Sequence, residues 1–135
     1  MVEASFTVYH RRARQLAGAM KLCQDGMSAY ASAAALLAVH SAISYSDALL
    51  IGLGGARPRG ENHREAFSAL RLVCTGAKIE PRGIAHLQKL LSAKTDISYG
   101  EKPVNEVRIA ALCDAATRFE TWVERVLHSR KGRLS

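Results

Sequence analysis

With 135 residues, 48% of them hydrophobic, the chain can build one domain that buries about two thirds of its unfolded surface, and it is too short for two such cores. Three prolines and no low-complexity tract exclude a disordered chain. Cys23, Cys74 and Cys113 are odd in number and far apart, which excludes a disulfide framework and a zinc knuckle and points to a reducing, cytoplasmic setting. A formal net charge of +7 favours anionic partners, chiefly nucleic acid or nucleotides.

In chain order, the opening residues MVEASFTVYHRRAR carry charge at Glu3 and again from Arg11. They leave no apolar core for a signal peptide. Phe6, Tyr9, Ala13, Leu16, Met20 and Cys23 recur in steps of three and four, so a first amphipathic helix is expected over about residues 4–24, stopping near Gly26. Arg11, Arg12, Arg14 and Lys21 lie on its other face, the usual place for solvated charge.

A second helix over about residues 28–53 is rich in alanine and serine. Ala31, Ala33, Ala34, Ala35, Ala38, Ala42 and Ala48 allow neighbouring backbones to approach from more than one side, as around the central helix of a bundle. His40, Asp47 and several serines interrupt it, so it reads as a core helix and not a membrane span. His40 and Asp47 are seven residues apart and share a face, where a buried polar seam is the commoner arrangement and a pocket the rarer one. Gly52, Gly54 and Gly55 then stop the helix.

The next stretch, GLGGARPRGENHREAF, joins two helices through Arg57, Arg59, His63 and Arg64, more cation than a plain connection needs. Asn62 can cap a third helix with Glu65 three residues on. Phe67, Leu70, Val73 and Cys74 form its inner face, and Gly76 ends it. A fourth helix starts after Pro81 with Ile84, Leu87, Leu90 and Leu91 inward, and AKTDISYGEKP breaks the pattern at Gly100 and Pro103. The last helix, about residues 104–128, places Val107, Ala111, Ala115, Phe119, Trp122 and Val126 at helical spacing, with residues 128–135 a frayed basic tail. No alternating run competes, so the fold class is all-α: an up-and-down bundle of four to five antiparallel helices, forming a single domain over residues 1–135.

Four stretches, AYASAAALLAVHSAISYSDALL, GGARPRGENHREAF, LSAKTDISYG and DAATRFETWVERVL, resemble in order and spacing a HEPN domain (higher eukaryote and prokaryote nucleotide-binding domain). The likeness spans about residues 28–127. It implies a four- or five-helix bundle, often a homodimer, that binds nucleotides or RNA. Many members are metal-independent ribonucleases acting as toxins or defence effectors. Others are inactive partners, frequently of a small nucleotidyltransferase in a toxin-antitoxin pair. The nuclease members place an arginine, four to six residues and a histidine close to the start of the last helix. This chain has no histidine between His86 and His128, and it has Lys94 and Ser98 around Tyr99 where the family has arginine and aspartate around its tyrosine.

Two candidate regions follow from the residues themselves. Backbone N–H groups at the start of the third helix, near Asn62 and His63, together with Arg57, Arg59 and Arg64, suit a phosphate; a merely solvated loop is the alternative. Arg57 and His63 could also serve as cation and general acid-base pair if the protein is a ribonuclease, although that spacing arises easily by accident in a chain so rich in arginine. Lys94 and Tyr99 flank the expected turn before the last helix, where Lys94 can meet a phosphate and Tyr99 a base, or Tyr99 can anchor the turn and Asp96 pair with Lys94. No metal-ligand spacing and no P-loop occurs, so neither a metal nor another cofactor is expected. The expected protein is a non-catalytic nucleotide- or RNA-binding homodimer away from membranes. A metal-independent endoribonuclease and a helical protein-interaction module are the alternatives.

Overall fold

The computed structural model describes residues 2–54, 63–100 and 105–134. They form α1 (Val2–Asp25), α2 (Met27–Gly52), α3 (His63–Gly76), a single 3-10 turn (Pro81–Gly83), α4 (Ile84–Tyr99) and α5 (Glu106–Leu134), with no strand among the described residues. The chain is therefore an all-α bundle.

Helix α2 is its axis. Residues 44–51 are buried without interruption, and eight consecutive positions span more than two helical turns, so this half is covered on every side. In the preceding half alanines let neighbouring helices approach closely: Ala34, Ala35, Ala38 and Ala42 are each at most 1% exposed. By length and composition α2 could cross a bilayer, but 78% of its most apolar window is buried inside the bundle. Its apolar surface is already matched by protein.

Helix α1 lays Ala13 and Met20 of the expected stripe into the core, joined there by Ala17, while Phe6, Leu16 and Cys23 are half-buried. Only Gly26 separates α1 from α2, and its carbonyl accepts from the Ala29 and Tyr30 amides. The first turn of α2 breaks at Tyr30, whose φ of −124° and ψ of 24° are not helical. At the far end, a Cβ on Gly52 would stand 3.1 Å from Leu127 and 3.2 Å from Phe6. Helices α1, α2 and α5 thus converge at that level. Cys113 lies beside the Ala34 carbonyl at the other end, so α2 and α5 run parallel and α1 runs antiparallel to both.

The glycine stop after α2 is borne out at Gly54, which takes a φ of +85°. At the end of α3 the left-handed position falls on Lys78, with φ 57°. The Ile79 amide bonds back to the Cys74 carbonyl at 2.8 Å and the Lys78 amide to Thr75 at 3.2 Å, the pattern of a Schellman cap. A side chain in this conformation costs about 1 kcal/mol relative to glycine.

Helix α4 runs unbroken through Tyr99 to the expected break at Gly100, so no turn separates Lys94 from Tyr99: no glycine or proline occurs before Gly100, and Ala93 and Ile97 continue the apolar face of Leu90. Helix α5 runs to Leu134, so the tail expected to fray is helical. Its start also differs. Asn105 is the N-cap, its side-chain oxygen accepting from the Arg108 amide at 2.8 Å. The inward face is Ile109, Leu112, Cys113, Ala116, Phe119 and Val123, whereas Val107, expected inside, is 82% exposed.

The 3-10 turn is fixed by Trp122. Its indole stacks on Phe119 with centroids 5.8 Å apart, donates to the Glu80 carbonyl at 3.3 Å, and lies so close to Gly83 that an added Cβ would stand 2.2 Å from the ring. Gly83→Ala should therefore destabilise the fold by about 1–3 kcal/mol. Lys78→Gly should stabilise it by about half a kcal/mol, the relief of the left-handed strain less glycine's greater unfolded-state entropy. Urea denaturation of both variants followed by tryptophan emission checks both signs.

Candidate functional site

The polar side chains of α1, α2 and α5 that escape the apolar core meet where the three helices converge. His10 reaches from α1 to α5, its Nε2 standing 2.5 Å from Glu124 Oε1. Phe6, one turn earlier on α1, stacks on the imidazole at 5.2 Å. Tyr45 of α2 meets it edge-on at 6.2 Å. Tyr45 is 1% exposed and its phenol donates to the Glu124 carboxylate, so one carboxylate orients both rings.

Glu120 lies one turn before Glu124. Two acids four residues apart repel on an isolated helix, and here cations from α1 offset the repulsion. Lys21 Nζ stands 3.2 Å from Glu120 Oε1, while the other oxygen, Oε2, is buried without a hydrogen-bond partner among the described residues. Burial first, then the charges of Glu120 and Glu124 and the bond to Glu124, push the Tyr45 phenol well above its ordinary value; Arg14 opposes them. The phenol therefore stays a neutral donor throughout the physiological range.

On its outer side this seam opens into a groove of about 440 Å³ lined by Thr7, His10, Arg11, Arg14 and Gln15. These positions follow the three-and-four spacing of one helix face. Arg11, Arg14 and Gln15 are exposed. The lining holds two permanent cations, an imidazole set by Glu124, a hydroxyl and an amide. Such donors can engage the oxygens of a phosphate, and a guanidinium can do so with two parallel hydrogen bonds.

The candidates taken from the sequence fall elsewhere. Arg57 and Arg59 lie outside the described residues, as does Asn62. His63 and Arg64 open α3. Lys94 and Tyr99 do not flank a turn: Lys94 is half-buried within α4 and Tyr99 is its last residue. Helix α4 starts beside Trp122 and leads away from it, so Tyr99 ends about 20 Å further along. Lys94 and Tyr99 thus lie towards the opposite end of the bundle from the His10 groove. His40 and Asp47 also part company, since His40 is exposed and Asp47 is 7% exposed. Asp47 belongs to the half of α2 that is covered on all sides.

His10 and Glu124, absent from the sequence-based candidates, are 114 positions apart. The like-charged pair Glu120 and Glu124 was the one signal of them, since it demands cations from a neighbouring helix. Among the described residues no group of three or more His, Cys, Asp or Glu could hold a metal ion. Comparison with protein-family models and with curated proteins finds no match.

Cys113 and Cys74 are buried and Cys23 is half-buried. Burial, aided by nearby Cys23, pushes the Cys113 thiol up to about 11; burial also raises Cys74. Because the thiolate is the nucleophile, a disulfide reagent at pH 8 should modify Cys23 first in the native protein and all three thiols in denaturant, as mass spectrometry would show.

Tyr45→Phe removes a buried bond to a carboxylate and should cost about 1.5 kcal/mol. The folded state holds the Tyr45 proton more tightly than the unfolded chain, whose tyrosines titrate near 10.0. Wild-type stability should therefore fall as pH rises past about 10, and the decline should be shallower in Tyr45→Phe. Denaturation midpoints measured between neutral and alkaline pH test this.

Proposed function

We propose that the chain is a HEPN-like helical module that binds the phosphates of RNA or of a nucleotide, with the α1 groove as its grip and no chemistry of its own. The observation that carries this reading is the grouping of Arg11, Arg14 and His10 with Thr7 and Gln15 around one groove, in a chain of net charge +7. Arg11 and Arg14 would neutralise backbone phosphates, and the loss of condensed counterions would drive binding.

A second copy of the chain is part of the proposal. Ala33, Leu36, Leu37 and Ile43 are only half-buried on a face of α2 that also carries exposed His40. Leu22, Tyr30 and Val107, exposed by 74%, 58% and 82%, lie towards the same end of the bundle. A homodimer would cover this surface.

One observation favours a second reading, a metal-independent ribonuclease. With Nε2–H directed at Glu124, His10 keeps Nδ1 as the nitrogen able to accept a 2′-hydroxyl proton, and Arg11 and Arg14 stand on the same groove to stabilise a pentavalent phosphate. His10 replaces His63 as the base in this version.

Single-stranded RNA labelled for anisotropy, titrated across salt in excess EDTA, separates the readings. The binding module predicts intact RNA and log affinity falling linearly with log salt. An Arg11→Ala/Arg14→Ala variant should bind about tenfold or more weakly, with a slope shallower by about 1–2. Cleavage by the wild type that disappears in His10→Ala would establish the ribonuclease instead. Absence of binding at low salt would remove both and leave a protein-interaction module. Sedimentation giving a monomer mass would remove the dimer.

A further inference from the structure

On the other side of α5 from Glu120 and Glu124 lies a second groove. Trp122, Val126 and Ser129 follow one another at i, i+4 and i+7, two positions out of phase with the glutamates, and so face away from α1. With Ala77, Lys78, Ile79, Glu80 and Arg125 they enclose about 270 Å³ between the α3–α4 connection and α5.

We propose that this groove binds a small organic anion: a carboxylate or phosphate monoester carrying a compact aromatic or apolar body. Two exposed cations from separate elements, Lys78 and Arg125, line it together with the Ser129 hydroxyl. Half-buried Ile79, Trp122 and Val126 supply the apolar wall. An anionic head with an apolar body matches both parts, whereas a bare phosphate would leave the wall unused and a neutral hydrocarbon would leave the cations unmatched.

Glu80, the one carboxylate among the described residues of the lining, is engaged locally. Its side chain accepts from the Arg82 amide at 3.1 Å and stands 3.5 Å from Arg82 Nε, while its carbonyl accepts from the Trp122 indole at 3.3 Å. Lys78 and Arg125 have no carboxylate within ion-pair distance among the described residues.

The backbone supplies an independent observation. Lys78 is the one non-glycine residue with positive φ among those described, at a cap position where glycine is the unstrained choice. A strained lysine lining a groove is the kind of outlier from which function is inferred. The indole also arrives pre-positioned, held by Phe119, Gly83 and Glu80, so binding need not order it.

Trp122 is the only tryptophan in the chain, so its emission reports on this groove alone. Titration with benzoate and with phenyl phosphate should give a saturable change with a dissociation constant of roughly millimolar order. Benzyl alcohol should not reproduce it, and inorganic phosphate should compete weakly. Lys78→Gly, which eases the backbone, and Arg125→Gln should each weaken binding by about fivefold or more, with unchanged or higher unfolding temperature for Lys78→Gly. No saturable change with either anion, equal saturation by benzyl alcohol, or wild-type affinity in both variants would overturn the proposal. The Arg11→Ala/Arg14→Ala variant should bind both anions as the wild type does, so failure here and failure of RNA binding at α1 are read separately.

Discussion

Close packing around α2 is the constraint on which the other elements depend. Helices α1, α4 and α5 all approach α2, and small side chains such as Ala34, Ala35, Ala38 and Ala42 leave room for them along much of it. Alanine supplies low volume with no side-chain entropy to lose, and Gly52 permits Phe6 and Leu127 to meet over the end of the helix. The cost of this arrangement is that polar residues of the three helices are forced together at the same level.

That crowding creates the seam. Tyr45 is too large to sit among alanines without consequence, and its hydroxyl must find a partner once buried. Glu124 accepts from it and from His10, which ties the orientation of a groove-lining imidazole to the packing of the central helix. Stability and the candidate site therefore share residues: the carboxylate that satisfies a buried phenol also presents His10 beside Arg11 and Arg14. On the opposite side of α5, Trp122 plays the corresponding part, fixing the 3-10 turn over Gly83 while forming the wall of a second groove.

Much of the fold was legible from local signals. The glycine stop after α2, the inner faces of α3 and α4 around Leu70, Cys74, Leu87 and Leu90, and the alanine content of the central helix all follow from periodicity and backbone preference. Two local readings failed for identifiable reasons. Val107 fits an apolar repeat but lies about half a turn round α5 from Ile109, on the side away from the core that Ile109 and Leu112 enter. Lys94 and Tyr99 are expected to flank a turn, yet without glycine or proline before Gly100 the helix has no reason to end between them.

The sequence by itself determined the class of structure, an all-α bundle around an alanine-rich helix, because hydrophobic spacing and glycine placement act over a few residues and need no partner. It also determined the net charge of +7. Helical spacing alone brings Thr7, Arg11 and Arg14 to one face of α1. Only the tertiary structure decided what that face lies beside, since the pairing of His10 with Glu124 spans 114 positions. Spacing along the chain carries no information about such a contact; the packing of α1 and α5 against α2 creates it.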